Sequence, residues 1–356
     1  MKGRDIKKKN KINPDQWDQY MPDLIDKLCS AKNDVRMIAI ETILDFFKNR
    51  FIGDDFLPFA EKVYESLKDS IFRKELKNEQ ESALNLICVL SMNLGIEFEE
   101  HANEFVRTIL TYVKEIGPNE LNRFFAVAFL TRFSFNNEES CQVVLERLLT
   151  ILNNKRSRPA DFNDDYFIAI IESLSIVITC ISHENFFTQN YDNTTQLIDN
   201  ILEEKLEIVY PSLLRLIALI SEKMTLYEES PSCNSFNESQ SFISRYKSQI
   251  SEIESRDNNL LQIIEDTISY LDGGNISEQY LINGNEVWIS GHSKKTIISA
   301  IHKVCGGHII EQLEKNVRLQ WELDLPYKLP IGSLRVKTSL IQNAEKTSPS
   351  KKKINK

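Results

Sequence analysis

Three residues near the C-terminal end of the sequence have the types and spacing that could bind a metal ion. His302, Cys305 and His308 follow one another at intervals of three residues. A structural zinc site needs four ligands in a fixed tetrahedral geometry and usually draws on several cysteines. The available fourth ligand, His292, would stand more than two helical turns from His302. The pattern therefore favours packing roles, with Cys305 at a helix end and His308 opening the next helix, and we expect no metal.

Paired carboxylates are the other groups that could do chemistry. Glu99-Glu100 and Glu203-Glu204 fall on predicted exposed helix faces, where solvated charge is their ordinary role. The sequence contains no Walker loop and no G-x-G-x-x-G, G-x-S-x-G, H-E-x-x-H or C-x-x-C pattern. It therefore predicts a protein that is not an enzyme, with no cofactor and no small-molecule substrate.

Trp288 is the residue best placed to contact a nucleotide base. It lies in a predicted hairpin, a few residues before Lys294 and Lys295. Aromatic side chains stack on the unpaired bases of single-stranded RNA. The alternative is that Trp288, like Trp17 and Trp321, is a packing residue, and the sequence leaves both roles open.

The composition is that of a folded, water-soluble chain. Of 356 residues, 42% are hydrophobic and 27% are charged. No apolar run approaches the roughly 18 residues that cross a bilayer, and the basic first residues lead into no apolar stretch of a secretory signal. Six cysteines without a C-x-x-C pair predict reduced thiols. We expect a cytoplasmic protein, possible also in the nucleus, without membrane association.

Small residues recur along the chain and indicate how it is organised. They stand at spacings of 44, 43, 43 and 43, at Ala39, Ala83, Ala126, Ala169 and Ser212. An upstream partner helix is predicted for each, over 15–29, 55–72, 98–115, 138–153 and 191–206. A single helix pair cannot bury its own faces, so such pairs must stack. The spacing predicts an all-α, HEAT/armadillo-like helical-repeat solenoid.

The sequence within the repeats adds two local predictions. In the first repeat, Asp34 can cap the start of a helix, and Arg36 can pair with acids in neighbouring turns. The segments 80–94 and 165–181 are apolar nearly all round, so we expect them to lie inside, between neighbouring helices.

A different pattern near the C-terminus predicts a small module. Asn283-Gly284 stands between two short apolar runs, and Asn-Gly supplies the positive φ angles of a tight hairpin turn. Two helices are predicted after the hairpin, over 292–304 and 307–322.

Charge is segregated along the chain. Residues 1–12 carry +5 and residues 326–356 carry +7. Since the whole chain carries −9, the body between these segments carries −21. The basic segments suit either nuclear import or contact with nucleic-acid phosphate.

The C-terminal sequence NGNEVWISGHSKKTIISAIHKVCGGHIIEQLEKNVRLQWEL resembles a motif of the interferon-related developmental regulator family. In that family a short strand precedes a Trp-x-Lys-Lys helix, and a glycine break leads to a His-Leu-x-x-Asn helix. This sequence keeps Lys294-Lys295, and it departs from the motif at His292, Gln312 and Gln320. The residues given a structural role on this resemblance are Trp288, Gly306, Leu313 and Asn316.

Other parts of the chain are similar to the same family. DLIDKLCSAKNDVRMIAI and SIFRKELKNEQESALNLICVLSMNLG resemble the first repeats, and IQNAEKTSPSKKKINK resembles a shortened basic terminal extension. The resemblance implies association with translationally inactive ribosomes, which the protein would repress or protect. The residues expected to contact RNA are Lys294, Lys295, Arg318, Arg335, Lys337, Lys346, Lys351, Lys352 and Lys353.

The family also implies an alternative, a nuclear transcriptional co-regulator whose solenoid binds co-repressor proteins. Lys351 to Lys353 would then be an import signal. In either case we expect a monomer with protein partners on the solenoid surface. The predicted parts are a basic arm (1–12), a solenoid of about five helix pairs (13–227), a linker (228–240), a C-terminal module (241–325) and a basic tail (326–356).

Overall fold

The protein is an all-α solenoid with a small C-terminal module, as the sequence predicted. The computed structural model describes residues 16–73, 76–117, 120–154, 162–229 and 238–325. The outer layer contains α1 (Trp17–Leu28), α3 (Leu57–Phe72), α5 (Glu99–Thr111), α7 (Glu138–Asn153), α10 (Tyr191–Glu204) and α12 (Glu238–Ser251). The inner layer contains α2 (Asn33–Lys48), α4 (Lys77–Leu94), α6 (Asn122–Ser134), α8 (Asp164–Ile178), α11 (Tyr210–Glu228) and α13 (Asn258–Leu271). A short helix, α9 (His183–Gln189), links α8 to α10.

Successive inner helices stack on one another, from α2 through α13. The predicted small residues lie in this layer: Ala39, Ala83 and Ala126 are completely buried, Ser212 is buried and Ala169 is half-buried. A small side chain lets neighbouring helices approach closely, so the apolar residues around it fill the space between repeats. As predicted, α4 and α8 are buried along most of their length.

Polar contacts repeat at the same interval as the helices. The Arg36 guanidinium donates two hydrogen bonds of 2.8 Å to the Glu79 carboxylate, 43 residues away. The hydroxyls of Ser91 and Ser134, also 43 residues apart, lie 2.8 Å from each other. The prediction that Arg36 pairs within its own helix is therefore wrong, because its partner belongs to the next repeat. Asp34 lies in the first turn of α2, but no side chain caps that helix by a hydrogen bond.

The C-terminal module begins with a two-stranded antiparallel hairpin, β1 (Ser277–Ile282) and β2 (Asn285–Ser290). Its turn is the predicted one, since Asn283 and Gly284 have φ angles of 52° and 75°. The next helix, α14 (His292–Cys305), ends at Gly306 with a φ of 59°. The predicted second helix is divided into α15 (Ile309–Lys315) and α16 (Val317–Glu322), because Asn316 has an extended backbone and caps α16.

The module packs on the inner layer, which the sequence did not predict. Helix α14 contacts α4, α8 and α11, whereas α15 contacts α2 and α16 contacts α4. The face of the inner layer that is turned away from the outer helices is therefore covered by the chain's own C-terminal residues. Across the described ranges, no helix combines the length and the apolar content of a membrane span. The predicted basic arm and basic tail, and most of the linker, lie outside the described residues.

Candidate nucleic-acid interface

Gln312 attaches α15 to the solenoid. Its side-chain Nε2 donates to the carbonyl oxygens of Phe47 and Lys48, at 2.7 and 2.8 Å. These carbonyls belong to the end of α2, where helical carbonyls have no partner within the helix. Gln312 departs from the family motif, as do Gln320 and His292, and all three side chains are buried. The sequence therefore departs from the family motif at buried positions, inside the module and where it contacts the solenoid, and not on the exposed surface.

Asn316 anchors the end of α4 and begins α16. Its Nδ2 donates to the Met92 carbonyl oxygen at 3.3 Å, and its Oδ1 accepts from the backbone nitrogens of Arg318 and Leu319, at 3.1 and 3.2 Å. Asn316 and Leu313 are completely buried. Both side chains therefore belong to the buried interior of the protein.

Arg318 lies against the solenoid and is not free to contact RNA. Its guanidinium donates to the Leu94 carbonyl oxygen and, at 2.8 Å, to Asp54 Oδ1. It covers Gly95, whose φ is 60°; a Cβ built there would lie 1.9 Å from the Arg318 Nη1. Burial lowers the pKa of Arg318, and the Asp54 carboxylate opposes that effect. Arg318 therefore holds α16 against the solenoid. The prediction, made from its charge, that Arg318 contacts RNA is wrong.

Glu222 of α11 holds the start of α14. Its carboxylate accepts hydrogen bonds from the backbone nitrogens of His292 and Ser293, the latter at 3.2 Å. A negative charge at this place is stabilised by the partial positive charge of a helix N-terminus. Glu322 of α16 forms an ion pair with Arg132 of α6, so α14 and α16 are both fixed to the inner layer.

The histidines and the cysteine considered as metal ligands point in different directions. His302 is exposed on α14, whereas Cys305 is buried and burial raises the pKa of its thiol to about 12. His292 is also buried, with its ring 4.2 Å from that of Tyr270. Burial first, and then the charge of Lys295, lower the pKa of His292 from 6.5 to about 4. Among the described residues, no group of three or more His, Cys, Asp or Glu side chains is arranged to hold a metal ion.

Lys294 and Lys295 are the predicted RNA contacts that the structure places on the surface. The Lys294 Nζ lies 2.8 Å from Asp324 Oδ2, and the Lys295 Nζ lies 2.9 Å from Glu278 Oε1. The two lysine side chains are still 32% and 44% exposed. Ion pairs this exposed contribute at most about 1 kcal/mol, so a phosphate can replace either carboxylate. The other predicted contacts lie outside the described residues: Arg335, Lys337, Lys346, Lys351, Lys352 and Lys353.

Trp288 does not have the packing role that the resemblance implied. It is 62% exposed, on the outer face of the hairpin. Trp17 does pack, with its ring 5.7 to 6.1 Å from those of three phenylalanines, and Trp321 is 56% exposed. Hydrophobicity alone could not have distinguished these tryptophans, because the sequence does not show which face of the hairpin meets the solenoid.

Comparison with known proteins identifies the family of the solenoid. The model of the interferon-related developmental regulator family matches residues 2–268. The match runs through the repeats into α13 and ends before the hairpin. No significant match to a curated protein is found. Since the family match covers well over half of the chain, this protein belongs to the interferon-related developmental regulator family.

Proposed function

We propose that this protein is a non-enzymatic factor that binds translationally inactive ribosomes and represses or protects them. Binding uses the exposed side of the C-terminal module together with the basic tail. The observation that carries the proposal is the place where the tail begins. Asp324 pairs with Lys294, and the +7 segment starts only two residues later, at residue 326. The tail therefore continues directly from the lysine-bearing edge of the module.

Electrostatics favours one mode of contact with ribosomal RNA. The −21 body is repelled by phosphate, whereas the tail gains free energy by releasing counterions. If about six of the tail cations contact phosphate, the logarithm of the affinity falls with a slope of roughly −4 against the logarithm of salt concentration. Raising the salt threefold then weakens binding by about a hundredfold. The proposal places the protein mainly in the cytoplasm, as a monomer.

The alternative, a nuclear co-regulator, would need a different surface. Solenoids often bind partners along the inner face, which this chain covers with its own module. The outer layer offers a groove of about 940 Å³ between α5 and α7. Its apolar lining includes Val106, Leu110 and Val143, of which Val143 is 65% exposed. A protein partner in the nucleus would therefore bind at this groove.

Sucrose-gradient sedimentation distinguishes the two functions. The full-length protein and a chain lacking 326–356 are followed in extracts of growing and starved cells. We expect the full-length protein to travel with monosomes after starvation, to leave them at high salt, and to stay at the top when the tail is missing. Replacing Lys294 and Lys295 by glutamine should weaken the association, whereas Lys27→Gln on α1 should not.

Two results would contradict the ribosome proposal. One is that full-length protein stays at the top of the gradient in every condition. The other is that the chain lacking 326–356 sediments as well as the full-length protein. Capture of chromatin proteins by the full-length protein, lost on Val143→Asp at the outer groove, would support the alternative.

A further inference from the structure

We infer that Cys141 and Cys180 form a redox-active dithiol, which hydrogen peroxide converts into a disulfide within the solenoid. The inference goes beyond the proposed function and does not depend on it. It assigns a reversible modification site to the helix pair α7 and α8. Disulfides of proteins in reducing compartments are usually transient, and redox sensing is one of their ordinary roles.

The start of α7 and the end of α8 bring the two thiols together. Cys141 is the fourth residue of α7, and Cys180 comes two residues after α8. The Glu138 carboxylate joins these two places, because its Oε1 accepts from the backbone nitrogen and the hydroxyl of Ser182, at 2.7 and 2.9 Å. The thiols of Cys141 and Cys180 form a hydrogen bond with each other, and both cysteines are free. The two sulfurs are therefore already neighbours, which is the first requirement for a disulfide.

Two cations lie close to Cys180 and make its thiol reactive. They are Arg132 of α6 and Lys223 of α11, whose Nζ donates to the carbonyl oxygen of Ile181. Burial opposes ionisation of Cys180, but the hydrogen bond from Cys141 and the charge of Arg132 outweigh burial and lower the pKa of Cys180. The thiolate is the form of cysteine that reacts with peroxide, so the reaction is expected to begin at Cys180.

Two features of the site oppose the thiolate. The Glu322 carboxylate raises the pKa of Cys180, and the C-terminal end of α8 carries a partial negative charge. Glu322 is paired with Arg132, whose buried Nε has no hydrogen-bond partner within the described part of the chain. Glu322 therefore satisfies only part of the Arg132 guanidinium, which still lowers the pKa of Cys180.

A second pair of cysteines is the matched control. Cys88 of α4 and Cys305 of α14 are near enough for the charge of one to affect the other, and both are 1% exposed. Burial raises the pKa of both thiols, that of Cys305 to about 12. Cys180 differs in both respects, since it is half-buried and its pKa is lowered. Oxidation follows thiolate character and exposure, so we expect Cys88 and Cys305 to stay reduced.

The reaction has two steps and consumes one molecule of hydrogen peroxide. The Cys180 sulfur attacks a peroxide oxygen and the O–O bond breaks. The leaving hydroxide takes up the proton lost by Cys180, which gives a sulfenic acid and water. The Cys141 sulfur then attacks the sulfenic sulfur, so that the S–S bond forms, the S–O bond breaks, and the Cys141 proton leaves with the oxygen as a second water. Two electrons pass from the two sulfurs to the peroxide.

The test uses the full-length protein with Cys29→Ser and Cys233→Ser, which leaves the two pairs of cysteines. This protein is treated with hydrogen peroxide, its remaining thiols are alkylated, and its peptides are measured by mass spectrometry without reduction. We expect a peptide in which Cys141 is linked to Cys180, and dithiothreitol should return both to thiols. Oxidation of Cys88 and Cys305 should be at least about tenfold slower, because their thiolates are disfavoured.

A third substitution separates the two steps. Cys141→Ser keeps a hydroxyl beside Cys180 but removes the second sulfur. Peroxide should then convert Cys180 into a sulfenic acid that dimedone labels, with no internal disulfide. The thermal transition of this variant is compared with that of its parent to check folding, and the main test does not depend on it, because both thiols are present there.

Three results would refute the dithiol. Peroxide leaves all four thiols reduced, or it oxidises Cys88 and Cys305 as fast as Cys141 and Cys180. In the third result Cys180 is oxidised to a sulfinic acid, or linked to a second molecule, and no bond to Cys141 forms. None of these results bears on ribosome binding, which is measured separately by sedimentation of the reduced protein.

Discussion

Asn316 has two roles in one side chain, and replacing it with alanine removes both. Its Oδ1 accepts from two backbone nitrogens at the start of α16, and its Nδ2 donates to the Met92 carbonyl oxygen near the end of α4. Loss of an N-cap costs about 1 kcal/mol. A buried carbonyl without its donor costs about 1–3 kcal/mol. We therefore expect Asn316→Ala to lower the free energy of docking of the module by about 2–4 kcal/mol.

Aspartate at the same position separates the two roles. Asn316→Asp keeps the oxygen that caps α16 but loses the donor to Met92. It also places a buried carboxylate beside the carbonyls at the negative end of the α4 dipole. An unpaired buried charge costs several kcal/mol, so at pH 7 aspartate should destabilise the module at least as much as alanine. Asn285→Ala in the hairpin is the control: its exposed side chain makes one long contact of 3.5 Å, and the change should stay within about 0.5 kcal/mol.

Hydrogen exchange, read by mass spectrometry over residues 309–322, reports the local free energy of opening. Urea unfolding of the full-length protein gives the global value for comparison. If the amides of residues 309–322 exchange as slowly in Asn316→Asp as in the wild-type protein, the cap of α16 alone stabilises the docked module. The hydrogen bond to the Met92 carbonyl then contributes nothing. If Asn316→Ala changes the free energy of opening no more than Asn285→Ala does, Asn316 does not hold α16 on the solenoid.

Three further predictions follow from buried groups. Arg36→Met leaves the buried Glu79 carboxylate with only the Ser70 hydroxyl and a 3.9 Å contact to Arg73, and should cost about 3 kcal/mol, measured as the shift of the urea midpoint. The pKa of His292 is about 4 in the folded protein and about 6.5 in the unfolded chain, so folded stability is full above pH 6.5 and falls as the pH drops toward 4. The fall should total about 3 kcal/mol, and His292→Phe should flatten it in urea titrations between pH 4.5 and 7.5. Gly95→Ala places a Cβ against Arg318 and forces a residue with a side chain into positive φ, so it should cost at least about 2 kcal/mol and speed exchange in α16.

Matched variants serve as controls for these three predictions. Lys27→Met breaks an exposed ion pair with Asp23 and should cost less than about 1 kcal/mol, so an equal effect of Arg36→Met would show that burial adds nothing. Gly273 has a φ of 90° with empty space around it, so Gly273→Ala carries the backbone strain without the collision. If Gly95→Ala destabilises the protein no more than Gly273→Ala does, the position of the Arg318 side chain does not require a glycine at residue 95. A pH slope that His292→Phe leaves intact would assign that slope to another group.

The sequence revealed the solenoid because stacking constrains residues at a fixed interval. A side chain as small as Ala83 or Ala126 is required wherever inner helices touch, and this requirement repeats every 43 or 44 residues. The hairpin was predictable for a similarly local reason, since Asn283-Gly284 supplies the two positive φ angles of its turn. Both signals lie within short stretches of chain, where residue type and backbone geometry are directly linked.

The position of the module could not be predicted, because the contacts that fix it join distant parts of the chain. Gln312 caps a helix 265 residues earlier, and Arg318 covers a glycine in the second repeat. Neither side chain differs in type from the polar residues of an exposed helix. Its charge therefore predicted that Arg318 contacts RNA, whereas in the structure Arg318 packs against the solenoid and helps to hold α16. The same limit applies to Trp288, whose exposure depends on which hairpin face meets α14 and α15.

Under the proposed function, fixing the module on the inner layer also fixes which side of the protein RNA can contact. To expose the inner face, the module would have to release the contacts of Gln312, Asn316, Arg318 and Glu222 and expose the buried Leu313. Each of these hydrogen bonds contributes about 0.5–1.5 kcal/mol relative to its replacement by water, and burial of one leucine side chain adds about 1.5–3 kcal/mol, so together they favour the closed arrangement. The outer layer is acidic, and α10 has four acidic residues and no lysine or arginine. Under the proposed function, phosphate is repelled from the acidic solenoid and attracted to the cations of the module and of the tail sequence.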